Sequence, residues 1–139
     1  MADTYKPLLK SIIAKIKATT SLTAYVGSGA SSRVYTNVPQ DTTFPYIRVN
    51  ITSEPFDTVD TSGMVHHVTV QCFSRKPGPE EAAAMRAAVY ALLHRNESAF
   101  TLDNGTLFNI NYDNVGFVEQ EPDGKTWQGF AQFRAVVMD

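Results

Sequence analysis

Apolar and polar residues recur along this chain with two different periods, and each change of period marks an element. Near the start, Leu8, Leu9, Ile12, Ile13 and Ile16, joined by Tyr5, follow three- and four-residue spacing. That spacing puts them on one face of a helix, with Pro7 suited to its first turn. Lys6, Lys10 and Lys17 on one flank and Lys15 on the other can lay their stems along the core edge while their charges stay in water. Residues 22–26 predict another short helical turn, and Gly27-Ser28-Gly29-Ala30-Ser31-Ser32 a loop. Arg33-Val34-Tyr35 predicts a short strand, and Tyr46-Ile47-Arg48-Val49-Asn50-Ile51 a longer one with alternating faces. Pro39 and Pro45 keep the chain extended between the two. Residues 52–63, rich in Glu, Asp, Pro, Ser and Thr, predict a long loop and with it a candidate partner-binding arm.

The sharpest change of period falls between residues 65 and 95. A strand-like alternation from Val65 to Phe73 passes through Ser74-Arg75-Lys76-Pro77-Gly78-Pro79 into a helix over residues 79–95. Pro79 suits its first position, and Glu80 and Glu81 sit favourably against the helix dipole. Ala82, Met85, Val89, Leu92 and Leu93 form its core face, and Ala83, Ala84, Ala87 and Ala91 its back. Alanine there serves either as a strong helix former or as a small side chain that lets a neighbouring subunit come close. Asp103-Asn104-Gly105 then predicts a hairpin between Phe100-Thr101-Leu102 and residues 106–112. A turn at Asp113-Asn114 precedes a strand over residues 115–120, and Glu121-Pro122-Asp123-Gly124 is a second turn. The last strand, residues 126–138, places Trp127, Ala131, Phe133, Ala135 and Val137 on one side. The expected fold is α+β, a mainly antiparallel sheet with two helices packed on one face.

At 139 residues and 43% hydrophobic the chain can build one core, so a single domain over residues 1–139 is expected. Its longest apolar run falls well short of the roughly 20 residues that a membrane span needs. The N-terminus lacks a signal peptide's basic and apolar regions, which predicts a protein kept in the cytoplasm. The net charge of -2 is unevenly spread. Residues 1–50 carry six basic side chains against two acidic, and the rest carries six against twelve. Between Glu97 and Lys125, six acids face a single lysine. Such a stretch either forms solvated loops, or is a surface that meets a charged partner or repels passing nucleic acid. An isoelectric point near 5.9 argues against recognition of nucleic acid by a basic patch.

Candidate chemistry is sparse. Cys72 is the single cysteine, which excludes an intramolecular disulfide and a Cys-based zinc site. Its strand face, shared with Val68 and Val70, predicts a buried, inert thiol. His66 and His67 are adjacent on a strand and point to opposite faces, so they cannot share a metal. Glu80-Glu81 is explained by helix-start electrostatics, and no Gly-Lys-Ser/Thr closes the glycine loop into a phosphate cradle. No catalytic residue, metal or cofactor is expected.

One resemblance sharpens this picture. An amphipathic N-terminal helix, then Leu22-Thr23-Ala24-Tyr25-Val26-Gly27, Arg33-Val34-Tyr35, Val38-Pro39-Gln40 and Phe44-Pro45-Tyr46-Ile47, follow one another in an order that resembles the small tail terminator or tail completion (head-tail joining) proteins of long-tailed bacteriophages and gene transfer agents. His67 to Phe73, Ser74-Arg75, Gly78 and the helix through Leu92-Leu93 extend the likeness over most of residues 5–95. The resemblance implies a structural virion protein at the tail-head junction, assembled in the host cytoplasm, without a membrane partner. It implies a homo-oligomeric ring, commonly hexameric, that caps the tail tube protein, ends polymerisation and meets the head connector. DNA would pass through its channel without sequence-specific binding. On that reading Ala83, Ala84, Ala87 and Ala91, with Asp57 and Asp60, are candidates for the subunit interface. Glu119, Glu121 and Asp123, or the Asp57 and Asp60 loop, are candidates to face the channel. A different neck component, such as a head completion or connector protein, is the alternative, and a small cytoplasmic enzyme is a third reading.

Overall fold

In the computed structural model, which describes residues 3–57 and 60–138, the chain forms three α-helices laid on one face of a five-stranded sheet. The elements in order are α1 (Tyr5–Ala18), α2 (Thr20–Val26), β1 (Val34–Tyr35), β2 (Tyr46–Asp57), β3 (Ser62–Ser74), α3 (Glu80–Leu93), β4 (Thr106–Gln120) and β5 (Trp127–Met138). The sheet order is β1-β2-β3-β5-β4. β1 runs parallel to β2, and every other neighbouring pair is antiparallel. The α+β expectation therefore holds, with the predicted turn at residues 22–26 filling out to α2.

The period-two alternation of the strands decides which face the helices cover. Ile47, Val49 and Ile51 of β2, Val68, Val70 and Cys72 of β3, and Ala131, Phe133, Ala135 and Val137 of β5 all point to one side and are buried. Leu8, Ile12 and Ile16 of α1 and Met85, Val89, Leu92 and Leu93 of α3 pack into the same cluster. α3 comes close to β5 because Gly129 has no side chain; a Cβ there would strike the Ala82 carbonyl. Arg86 fastens the same helix, donating from Nε to the Phe130 carbonyl (2.8 Å) and from Nη2 to the Tyr112 hydroxyl (2.6 Å).

Two local expectations are corrected. Residues 52–63 are not a long loop: β2 continues to Asp57 and β3 begins at Ser62, with Asp57 paired to Ser62, while Thr58 and Val59 lie outside the described residues. The polar composition disguised a strand whose side chains face water, and Pro55 fits because it sits where its missing N–H costs no bond to β3. Nor do residues 100–112 form a hairpin about Asp103-Asn104-Gly105. Glu97–Ala99 is a 3-10 turn, and Phe100 drops into the core instead of pairing. β4 then runs from Thr106 to Gln120 as one strand, and the predicted turn at Asp113-Asn114 is a register irregularity inside it. The turn at residues 121–124 is present, closed by the Glu121 N–H donating to the Thr126 carbonyl (2.7 Å).

Candidate assembly interface

The face of the sheet opposite the helices has no element laid on it among the described residues. The alternation that buries one set of side chains turns the other to this face, half-buried except for the exposed Thr52 and Arg134: Arg48, Asn50 and Thr52 on β2, His67, Thr69 and Gln71 on β3, and Gln128, Gln132 and Arg134 on β5. Neutral amides and hydroxyls dominate. Arg48 donates to Gln71 Oε1 (3.1 Å), and Gln132 donates to Asp113 Oδ2 (3.1 Å). His67 lies between two carboxylates, 3.7 Å from Glu54 and 3.7 Å from Asp113. Towards the β4–β5 turn the face becomes aromatic. Phe117 stacks on Phe130 at 4.8 Å, Tyr46 stacks on Phe73 at 4.9 Å, and the Arg75 guanidinium lies 4.3 Å over the ring of Phe44.

The alanines singled out from the sequence occupy the outer side of α3. Ala84, Ala87 and Ala91 are exposed and Ala83 is half-buried. Helical spacing sets Ala83, Ala87 and Tyr90 on the flank that leans toward β4, since Arg86 and Tyr90 of that flank both meet Tyr112. Tyr90 is 40% exposed and stacks on His94 at 4.8 Å.

The acidic candidates do not gather in one place. Asp57 and Asp60 are exposed at the β2–β3 end of the sheet. Glu119 is exposed on the uncovered face near the opposite end, and Glu121 and Asp123 follow in the turn beyond it. Eleven register steps separate the ends, roughly 35 Å at strand rise. Asp123 holds its turn: its carboxylate accepts the N–H of Lys125 (2.8 Å), the N–H of Thr126 (2.9 Å) and the Thr126 hydroxyl (2.7 Å), with Arg75 at 3.8 Å. Those backbone bonds, more than the arginine, pull its pKa down to about 2.

Among the described residues two titratable side chains are buried, Cys72 and His66. Burial pushes the Cys72 thiol up to about 12, as its place beside Val68 and Val70 predicted. His66 bonds to Thr4 Oγ1 (2.8 Å) and Ser53 Oγ (2.6 Å), tying the start of α1 to the β2–β3 pair, and burial lowers its pKa. Among the described residues no three His, Cys, Asp or Glu side chains gather as a possible metal site. Sequence reasoning missed the uncovered face as a candidate surface, although the signal was present in the alternation Arg48, Asn50, Thr52 and His67, Thr69, Gln71. It also missed Arg86, whose partners lie on strands far along the chain.

The model of the tail completion protein gp17 family matches residues 10–138. The chain belongs to that family. A chain in the virion of a native gene transfer agent particle has the same fold, with a TM-score of 0.85, 20% sequence identity and 100% of each chain covered. No curated protein matches the chain. Family membership makes the protein a structural component of a virion at the tail or neck, as the resemblance over residues 5–95 implied. None of its helices is long and apolar enough to cross a membrane among the described residues.

Proposed function

We propose that this tail completion protein, acting as a single domain, caps the finished tail tube as a ring, most simply a hexamer, and ends tail polymerisation. The family match over residues 10–138 carries this reading. The ring's lower face matches the last tube subunit and its upper face does not, so further addition stops for lack of a complementary surface. That upper face meets the head connector. No covalent chemistry is required. A head-to-tail contact of this kind forms a ring when its rotation closes.

The exposed back of α3 supports a close subunit contact through Ala83, Ala84, Ala87 and Ala91, with Asp57 and Asp60 reaching a neighbour from the far end of the sheet. The uncovered face, rich in neutral amides and hydroxyls, is suited to line the channel. Basic groups there would hold the DNA backbone by counterion release, whereas this face offers few. Glu119 then faces the channel, and Glu121 and Asp123 stand at its rim.

The test is negative-stain electron microscopy of the protein mixed with terminator-deficient tails. Rings at tube ends, with tubes of uniform length, are expected. Binding to isolated connectors with tails left uncapped moves the protein to a head completion role instead. A second check is Ala87→Glu, which is expected to abolish rings and leave the monomer folded by circular dichroism.

A further inference from the structure

β2, beyond the two residues that β1 covers, and the outer strand β4 each leave part of their outward edge free among the described residues, and the two free parts lie at opposite ends. The Ile47 N–H points outward, donating to the Arg33 carbonyl at 3.0 Å. The register of β2 on β3 is unbroken, so every odd-numbered residue from 47 to 57 turns its peptide groups away from β3. β1 covers only the end of this edge, pairing with Ile47 and Arg48. From Ile51 to Asp57 no strand lies beyond β2 among the described residues, and Thr52, Ser53, Glu54, Pro55 and Asp57 are exposed.

On β4 the coverage is reversed. The Ile110 carbonyl accepts the Arg95 N–H (2.8 Å), the Ile110 N–H donates to Glu97 Oε1 (3.1 Å), and the Tyr112 N–H donates to His94 Nδ1 (2.9 Å). The segment after α3 thus occupies that part of the edge. Past the irregularity, where pairing to β5 resumes at Val115, the alternation makes Gly116, Val118 and Gln120 outward-facing, and nothing among the described residues covers them. An exposed strand edge is a template for another strand.

We propose that Gly116 to Gln120 of one copy adds antiparallel to Ile51 to Asp57 of the next, joining adjacent subunits through backbone hydrogen bonds. This inference rests on the ring reading above and names the surface that closes the ring. Strand direction supports it. β2, β3, β5 and β4 alternate up and down, so a copy placed beside this one in the same sense brings its β4 antiparallel to β2, and the alternation continues from copy to copy. Offset supports it too. Placing all of Gly116 to Gln120 against Ile51 to Asp57 shifts adjoining copies by six or eight residues, and a shift of six is roughly 20 Å along the strands. Four strands span about 19 Å, so a shift of six slants them by ~45°, the upper end of the tilt that closed sheets adopt. At a shift of six Glu119 stands across from Thr52, whereas at eight it would meet Glu54, so charge favours six. Phe117, 38% exposed on one copy, comes under cover of its neighbour. The flank of α3 with Ala83, Ala87 and Tyr90 lies above the same edge, so the contact extends into the helix layer.

The test uses tube-bound protein carrying Glu119→Cys together with either Thr52→Cys or Glu54→Cys, and Val118→Pro as a separate variant. The native Cys72 is buried and does not interfere. Mild oxidation is expected to give a ladder of disulfide-linked multimers with one of the two pairs. Val118→Pro removes one outward N–H without touching the β5 ladder, and is expected to stay folded and lose ring formation. Rings visible on tails while both cysteine pairs run as monomer on a non-reducing gel, or normal rings from folded Val118→Pro, overturn the edge pairing and leave the ring reading intact. If the unmodified protein forms no ring on tails, the ring reading itself fails and the edge pairing falls with it.

Discussion

The two faces of the sheet are drawn from the same strands, one residue apart, and they have different work. On the helix side, Ile47, Val49, Val68, Val70, Phe133 and Ala135 are buried against α1 and α3, and burial of this kind is the main favourable term in folding. On the other side, Arg48, Asn50, Thr69, Gln71 and Gln132 are half-buried and Arg134 is exposed, and their hydrogen bonds compete with water. The first face holds the monomer together. The second has no helix laid on it among the described residues, and buries only Val65 and Val136 of its apolar side chains. In a small virion protein the face that no helix covers is where an assembly surface is to be sought.

That contrast can be broken by substitution. Phe133→Ala on the covered face empties a fully buried ring site and is expected to cost about 3–5 kcal/mol, read as a lower midpoint in urea. Arg86→Leu removes the bonds that bind α3 to β5 and Tyr112; a loss of about 1.5–3 kcal/mol is expected. Gln132→Ala, on the uncovered face one residue from Phe133, should stay within about 0.5 kcal/mol of the parent. A comparable loss at Gln132 would show that the uncovered face also carries the fold.

Acid and thiol reagents probe the buried polar groups of the covered side. Burial lowers the pKa of His66, so the unfolded chain binds its proton more readily. Stability is then full above the unfolded histidine value of about 6.5 and declines as pH falls through the lower folded value. Thermal midpoints should drop between pH 7 and pH 5, and drop less in His66→Gln. With its pKa pushed up to about 12, Cys72 should remain unreactive toward an aromatic disulfide reagent at pH 8 and react fully once urea unfolds the chain. Fast modification of folded protein would mean that the core opens readily around β3.

Much of the fold was legible in the chain because periodicity is a local signal. Leu8, Ile12 and Ile16 declared α1, the alternation from Val65 to Phe73 declared β3, and Ala82, Met85 and Val89 declared the inner face of α3. The failures share one cause. Thr52 to Asp57 looks like a loop because nothing in those residues reveals that a partner strand lies alongside. Phe100-Thr101-Leu102 looks like a strand because its apolar ends fit one, yet Phe100 finds a better place in the core. Pairing depends on residues distant in sequence, and local composition does not carry it. The candidate site was less legible still. The alanine back of α3 was visible from helical spacing, while the two alternative acidic candidates, Glu119, Glu121 and Asp123 or Asp57 and Asp60, turn out to stand at opposite ends of the sheet, a distance that only the strand register reveals.

What the sequence determined by itself was the class of the fold, the helix faces, the burial of Cys72 and the likeness to tail completion proteins, all of which rest on short-range patterns of side chains. The tertiary structure alone decided the order β1-β2-β3-β5-β4, which face of the sheet stays uncovered, and which stretches of edge remain open. Those features follow from where distant segments meet: two residues of β1 cover one end of β2, and the chain after α3 covers one part of β4. Backbone groups left over at an edge belong to the arrangement of strands, and every residue type except proline carries the same ones.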